Sequence, residues 1–410
     1  MSFLLGRIGA AGPFGGLVPG AAAFLLARLD RPAWVVVPTR EDADRLVRAV
    51  RYHAPKRRVR LYAADDGRPW DGISPDPTLA HHRLVARQDA EAIVVVPAKA
   101  LLSRVPAEVP TWSIRRGGTL DRTAFLSWLG GRGYLVTQKV DEPGLVSVRG
   151  GLLDVWPPGF DRPLRVDLFD DEVESIRAFD PSTQKVGAAR ASVEVLPARE
   201  AVLDATTTAR AAGWLAAVAG EVDRPGSYRR VLDDLRNGVW FPGAESYLPA
   251  LQELVVLPLP AALYVVEPGL VRDELRRFEA SIIERFAALA ADERPLVRPF
   301  DRYARVDEVR LDGIPVTSLG GPYETRDNRS LRVGEDLGPV VKTLRGWAGD
   351  GRAVTIVVEG SARAERVLAL FANHGLELPG GRAGPGELRL DVGELPDGFS
   401  AEDVAFVTAD

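Results

Sequence analysis

At 410 residues the chain is too long for one ordinary domain, and about 100–200 residues per domain divides it into two to four. Its 46% hydrophobic and 27% charged residues are those of a globular chain and exclude disordered, collagen-like and coiled-coil classes. A formal charge of −5 supplies no global field for holding nucleic acid, the absence of cysteine removes disulfides, thiolate zinc and cysteine nucleophiles, and four histidines (His53, His81, His82, His374) argue against a histidine metal cage.

Ile8 to Ala27 carries no charge, but five glycines with Pro13 and Pro19 prevent a single spanning helix. It is a Gly-Pro loop entering a short helix, Ala21–Leu29, and not a secretory signal, so the chain is expected to be cytoplasmic. Trp34–Pro38, Val59–Tyr62 and Ala92–Val96 are apolar runs of buried-strand type, separated by helical periodicity. Thr39 with Asp42 three residues on marks one helix start. Alternating strands and helices predict a parallel α/β sheet. From about residue 112 the pattern changes to a helix (Asp121–Leu129) and short alternating strands, Tyr134–Val140, Leu145–Arg149, Gly151–Trp156, Leu164–Phe169 and Val173–Phe179, an antiparallel α+β unit. Residues 199 to about 300 are helix-rich, through Ala209–Val218 and Glu274–Leu289. The lone strand Ala262–Val266 among them can complete the first sheet, which makes the middle unit an insertion. A loop-rich stretch follows Arg294-Pro295, and then a last α/β unit with strands Val354–Val358, Glu387–Val392 and Val404–Val407. The stop at Asp410, directly after a strand, is expected to lie within a longer protein.

Gly12-Pro-Phe-Gly-Gly-Leu-Val-Pro-Gly20, just before a helix, stands where a phosphate-binding loop would stand. Ala21 and Ala22 follow where lysine and a hydroxyl residue are needed, and no lysine of the chain follows a glycine. Gly12, Gly15, Gly16 and Gly20 are therefore expected to form a degenerate nucleotide loop. Glu267-Pro268 after the lone strand offers one acid and no magnesium pair, and is expected to be a solvated cap. His81-His82 face different sides of a helix and cannot chelate together, one packed and one solvated. The acids Asp167, Asp170, Asp171, Glu172 and Glu174 fit a hairpin turn better than an ion loop, and Arg51 to Arg60 a solvated helix end better than a nucleic-acid site. No catalytic or metal residues are assigned.

Glu142-Pro-Gly-Leu-Val-Ser-Val-Arg-Gly-Gly-Leu-Leu-Asp-Val-Trp-Pro-Pro-Gly159, its continuation from Pro163 to Gln184, and Val195-Leu-Pro-Ala-Arg-Glu200 resemble the signature shared by the excision-repair protein UvrB and the bacterial transcription-repair coupling factors (Mfd). Flanking segments, Trp70–Pro77, Val96–Leu102 and Gly238–Leu248, are similar to the coupling factors, and the lack of an intact ATP site also points to them rather than to UvrB. The resemblance implies an α/β multidomain chain: a degenerate helicase-like (RecA-like) parallel domain in two parts, 1–112 and 199–300, split by an inserted UvrA-binding α+β domain, 113–198, then a small α/β domain of undefined role, 310–410. It implies a non-catalytic, monomeric docking piece with no cofactor of its own. ATP, magnesium, the translocase motor and the contacts to RNA polymerase and DNA would lie in parts beyond Asp410. The UvrA-docking residues map onto Arg149, Arg165 and Phe169. Arg165 and Phe169 are four apart on a strand and share a face with Asp167, and an arginine beside an exposed aromatic is interface composition. The residues alone leave open a buried Phe169 with solvent-facing arginines. Replacing Arg165 or Phe169 by Ala is expected to weaken docking with little loss of stability. The alternatives are a nucleotide-binding ATPase domain and an autoinhibitory interaction module.

Overall fold

The computed structural model describes residues 14–64, 77–219, 230, 231, 233–235, 237–241, 244–289, 297–318, 323–328 and 337–409. In the first segment β1 (Phe14–Gly15), α1 (Pro19–Leu26), β2 (Ala33–Val37), α2 (Arg40–His53), β3 (Val59–Leu61), α3 (Pro77–Gln88) and β4 (Ile93–Pro97) alternate. Helix α2 begins where Thr39 and Asp42 place it: Asp42 N donates to Thr39 Oγ1 at 3.1 Å and Thr39 N to Asp42 Oδ2 at 3.1 Å, a reciprocal cap. Helix α1 is apolar all round, and Gly20 to Leu26 are buried throughout, as such a helix must be.

The middle segment carries β5 (Trp112–Arg115), α4 (Arg122–Gly131), β6 (Leu135–Val136), β7 (Leu145–Arg149), β8 (Leu152–Val155), β9 (Leu164–Phe169), β10 (Glu172–Phe179), β11 (Val186–Ala189) and β12 (Ser192–Val195). Strands β6 to β11 form one sheet in the order β11-β10-β9-β8-β7-β6, antiparallel except for β6 with β7, while β5 pairs with β12. One face, with Val146, Leu153, Val155, Leu164, Val166, Val173 and Ile176, packs on Phe125 and Leu129 of α4. Alternation at period two puts the polar residues on the opposite face.

The chain then returns through α5 (Ala205–Ala219), β13 (Leu263–Val266), α6 (Pro268–Ala288) and β14 (Ile314–Thr317). β13 pairs in parallel with β2, so the first sheet is assembled from segments more than 200 residues apart, in the parallel order β1-β14-β13-β2-β4-β3. Strand β14 lies in the stretch expected to be loop. Pro315 within a four-residue run hides it, since proline cannot donate to a ladder.

The last segment comprises β15 (Arg326–Asn328), α7 (Leu337–Gly349), β16 (Ala353–Val358), α8 (Ser361–Asn373), β17 (Leu388–Val392), β18 (Gly398–Ser400) and β19 (Val404–Ala409). Its sheet runs β15-β18-β19-β16-β17 and docks on α1 and α2. Phe24 lies between Phe399 and Phe406 at ring separations of 5.3 and 5.6 Å, Tyr52 Oη donates to Asp391 Oδ2 at 2.8 Å, and Arg45 pairs with Asp397. His53 is sealed in this seam against Phe24, Tyr52 and Phe406, with no hydrogen bond to either ring nitrogen. Burial, with help from the Arg28 and Arg382 charges, pushes its pKa down to about 3.

Where the middle segment rejoins the first domain, Arg83 of α3 grips Glu200: Nε to Oε1 at 2.9 Å and Nη2 to Oε2 at 2.6 Å, both side chains about 5% exposed or less. Burial alone would raise the Glu200 pKa, but the Arg83 guanidinium outweighs it and holds the carboxyl below its ordinary value. Replacing Glu200 by Gln removes the carboxylate that both Arg83 nitrogens grip in a buried site, and is expected to lower unfolding stability by about 3–5 kcal/mol in urea titrations.

The two buried groups bind protons less readily folded than unfolded, so both destabilise in acid. The His53 contribution declines as pH falls from about 6.5 towards 3, at up to about 1.4 kcal/mol per pH unit, and the Glu200 contribution is lost below about 4.5. A His53→Leu variant is therefore expected to show a flatter dependence of Tm on pH between 6.5 and 5 than the parent, read by scanning calorimetry.

Candidate docking face

Strand register brings the three sequence-predicted residues to one face of the middle sheet. Arg165 on β9 stands opposite Asp154 on β8, which stands opposite Ser147 on β7; Arg149 closes the β7–β8 hairpin opposite Leu152. Leu152 in turn faces Asp167 on β9, and Phe169 follows two residues on, paired with Glu172. The hairpin turn Gly150-Gly151 needs both glycines: Gly150 has φ 62°, and a Cβ on Gly151 would come within 2.6 Å of the Leu168 carbonyl. Asp170 takes the left-handed conformation, φ 53°, in the turn after Phe169, as expected of a hairpin acid.

The three side chains do not stand alike. Phe169 is 67% exposed, with Leu152 another exposed apolar group on the same face, which settles against a core Phe169. The Arg149 side chain is 54% exposed and donates from Nη2 to Asp154 Oδ2 at 2.9 Å. Arg165 is not solvent-facing. Its side chain is 15% exposed, its Nε and Nη2 bind Asp154 at 2.7 and 2.8 Å, Nη2 also donates to Gln184 Oε1 at 2.9 Å, and the guanidinium lies 4.5 Å from the Phe179 ring centre. Sequence reasoning passed over Asp154 and Gln184. The signal for Asp154 was present, an acid in the apolar run Leu152-Leu-Asp-Val155, where a charge inside a strand must find a partner. No sequence signal joins Gln184 to Arg165.

At the glycine loop, Gly12 lies outside the described residues, as does Trp70 to Asp76. Gly15 and Gly20 are buried and Gly16 is half-buried, with contacts to the later part of the chain. Thr325 Oγ1 accepts from Val18 N at 2.9 Å and donates to the Gly16 carbonyl at 2.7 Å, and Tyr323 N donates to the Gly15 carbonyl at 3.2 Å. A Cβ on Gly20 would stand 2.6 Å from the Asp397 carbonyl. The Val18 amide and the Gly15 and Gly16 carbonyls ahead of α1 are thus engaged by protein. Glu267 accepts from Ser318 N at 2.6 Å and starts α6 as its cap residue. His81 is half-buried and His82 exposed. In the basic run, Arg60 and Arg58 pair with Asp89 at 3.0 and 3.5 Å, and Arg57 donates to the Arg31 carbonyl at 2.5 Å. Among the described residues no cluster of three or more His, Asp or Glu is placed to hold a metal, and no helix is long and apolar enough to cross a membrane.

Residues 112–200, which carry this face, match the family model of the UvrB interaction domain. Over nearly its whole length the chain is similar to the N-terminal region of transcription-repair-coupling factors. That of Myxococcus xanthus is 35% identical over 260 residues, 58% of this chain and 22% of the relative; that of Escherichia coli is 28% identical over 313 residues, 72% and 27%; that of Mycobacterium bovis is 25% identical over 436 residues, 93% and 35%. The chain thus spans between about a fifth and a third of the length of these curated relatives.

The geometry separates the two side chains that were expected to behave alike. Phe169→Ala is expected to leave stability within about 0.5 kcal/mol of the parent, whereas Arg165→Ala, which strips two hydrogen bonds from a buried carboxylate, is expected to cost about 1–3 kcal/mol, both read by urea unfolding.

Proposed function

We propose that this chain is the docking module of a transcription-repair-coupling factor: it recruits the excision-repair protein UvrA through the open face of its UvrB interaction domain and performs no catalysis itself. The observation that carries the reading is the exposed Phe169 on the same face as a half-exposed Arg149 that is held by Asp154. An aromatic ring with an arginine fork is the composition of an interface hot spot. The first sheet, built from two parts of the chain around the middle domain, acts in this reading as a helicase-like scaffold of RecA type that has lost nucleotide binding. Two observations support the loss: the loop carries no lysine, and Thr325 takes the Val18 amide at the head of α1. ATP-driven translocation with magnesium, and the contacts to RNA polymerase and DNA, belong in this reading to parts outside the chain, and the piece works as a cytoplasmic monomer.

Titration of the 410-residue chain with UvrA tests the proposal. Phe169→Ala is expected to weaken capture by about thirtyfold or more, the factor for one hot-spot side chain, while remaining folded. Unchanged affinity of the folded variant would sink the docking assignment, and micromolar binding of labelled ATP to the same chain would restore the ATPase reading.

A further inference from the structure

Asp154 is 2% exposed and sits at the centre of the docking face, between two arginines of unequal standing. A carboxylate at that depth is tolerated only when its oxygens are engaged, and here three N–H donors reach it: Arg149 Nη2 on Oδ2, Arg165 Nε on Oδ1 and Arg165 Nη2 on Oδ2. Arg165 spends itself inward. Its fork spans both oxygens of Asp154, its Nη2 also meets Gln184 Oε1, and its plane lies over Phe179. Gln184 is itself held, with Nε2 donating to the Pro181 carbonyl at 3.0 Å and its backbone in the left-handed region at φ 61°. Arg149 is different. Among the described residues its guanidinium makes one hydrogen bond, to Asp154, and its side chain is 54% exposed.

We infer that Asp154 is a positioning residue for docking: braced by Arg165 and Gln184, it fixes the plane of the Arg149 guanidinium so that the outer edge of that fork receives a carboxylate side chain of the partner. The inference rests on the docking reading above and deepens it by dividing the labour between the two arginines. Arginine carries five donors in a rigid plane, enough to engage Asp154 and a second carboxylate together, and charge-assisted contacts of that kind are among the strongest polar contacts an interface makes. A guanidinium already held in place loses less conformational freedom when the partner arrives. With Asp167 on the same face and acting on Arg165, the two arginines and two aspartates balance in formal charge, so the preference for a partner carboxylate rests on the Arg149 fork itself, which carries donors and no acceptor.

The test is a double-mutant cycle on the 410-residue chain, read as affinity for UvrA with Tm measured alongside. Asp154→Asn keeps the shape but weakens the hold on Arg149, and is expected to lower affinity about tenfold or more. In an Arg149→Ala background the same substitution is expected to cost almost nothing more, because Asp154 acts through Arg149. Phe169→Ala is expected to retain its full effect in the Asp154→Asn background, which a generally disordered face would not allow. Parent-like affinity of Asp154→Asn, or an equal loss with and without Arg149, would overturn the inference. Should Asp154→Asn fail to fold, Arg149→Lys decides: a lysine keeps the charge without the planar fork and is expected to bind no better than Arg149→Ala, and parent-like binding would overturn the inference. Parent-like binding of Phe169→Ala would instead fail the docking reading and leave the geometry of Asp154 untouched.

Discussion

The pairing of Arg83 with Glu200 is the point on which the arrangement of the chain turns. The middle domain leaves the first sheet after β4 and returns after β12, and the return is clamped by this ion pair, buried on both sides. A buried charge without its partner costs several kcal/mol, so the pair acts less as a source of stability than as a condition on geometry. α3 and the segment after β12 must meet, or two charges are stranded. Around that condition the first sheet closes, β13 laying itself beside β2 and β14 beside β13 although some 230 residues separate β2 from β13 in sequence.

The same rule operates on a smaller scale in the docking face. Asp154 is buried in the sheet and must be satisfied, and the groups that satisfy it are the arginines placed opposite and beside it by strand register. A structural demand, neutralising a carboxylate, thereby leaves one arginine held at the surface on the same face as an exposed phenylalanine. At the glycine loop, Thr325 accepts from the Val18 amide just before α1, and the Asp397 carbonyl packs so closely on Gly20 that no side chain would fit there.

Much of this was legible in the residues. The central parallel strands β2 and β4 are apolar runs rich in valine, the Thr39–Asp42 cap marks a helix start, and antiparallel strands of the middle segment alternate at period two. The face shared by Arg165 and Phe169 follows from that alternation, while Arg149 joins it through strand register. Less legible was the standing of each residue on the face. Arg165 and Arg149 are the same type on the same side of the sheet, yet one is locked inward by Asp154, Gln184 and Phe179, three residues spread over 30 positions. Strand β14 escaped because its identity depends on pairing with β13 and β1, while Pro315 by itself signals the opposite.

The sequence alone determined the class of the long periodic elements, the period-two faces of the middle sheet, the lack of a lysine in the glycine loop and the motif that carries the resemblance, because each is written in local residue type and spacing. Tertiary structure alone decided which distant strands share a sheet, that Ile314–Thr317 is a strand, which arginine is exposed, and that His53 is held neutral in a seam between two parts of the chain. Those outcomes depend on burial and on partners from far along the chain, which set the energy of a charge or a hydrogen bond and have no signature at the residue itself.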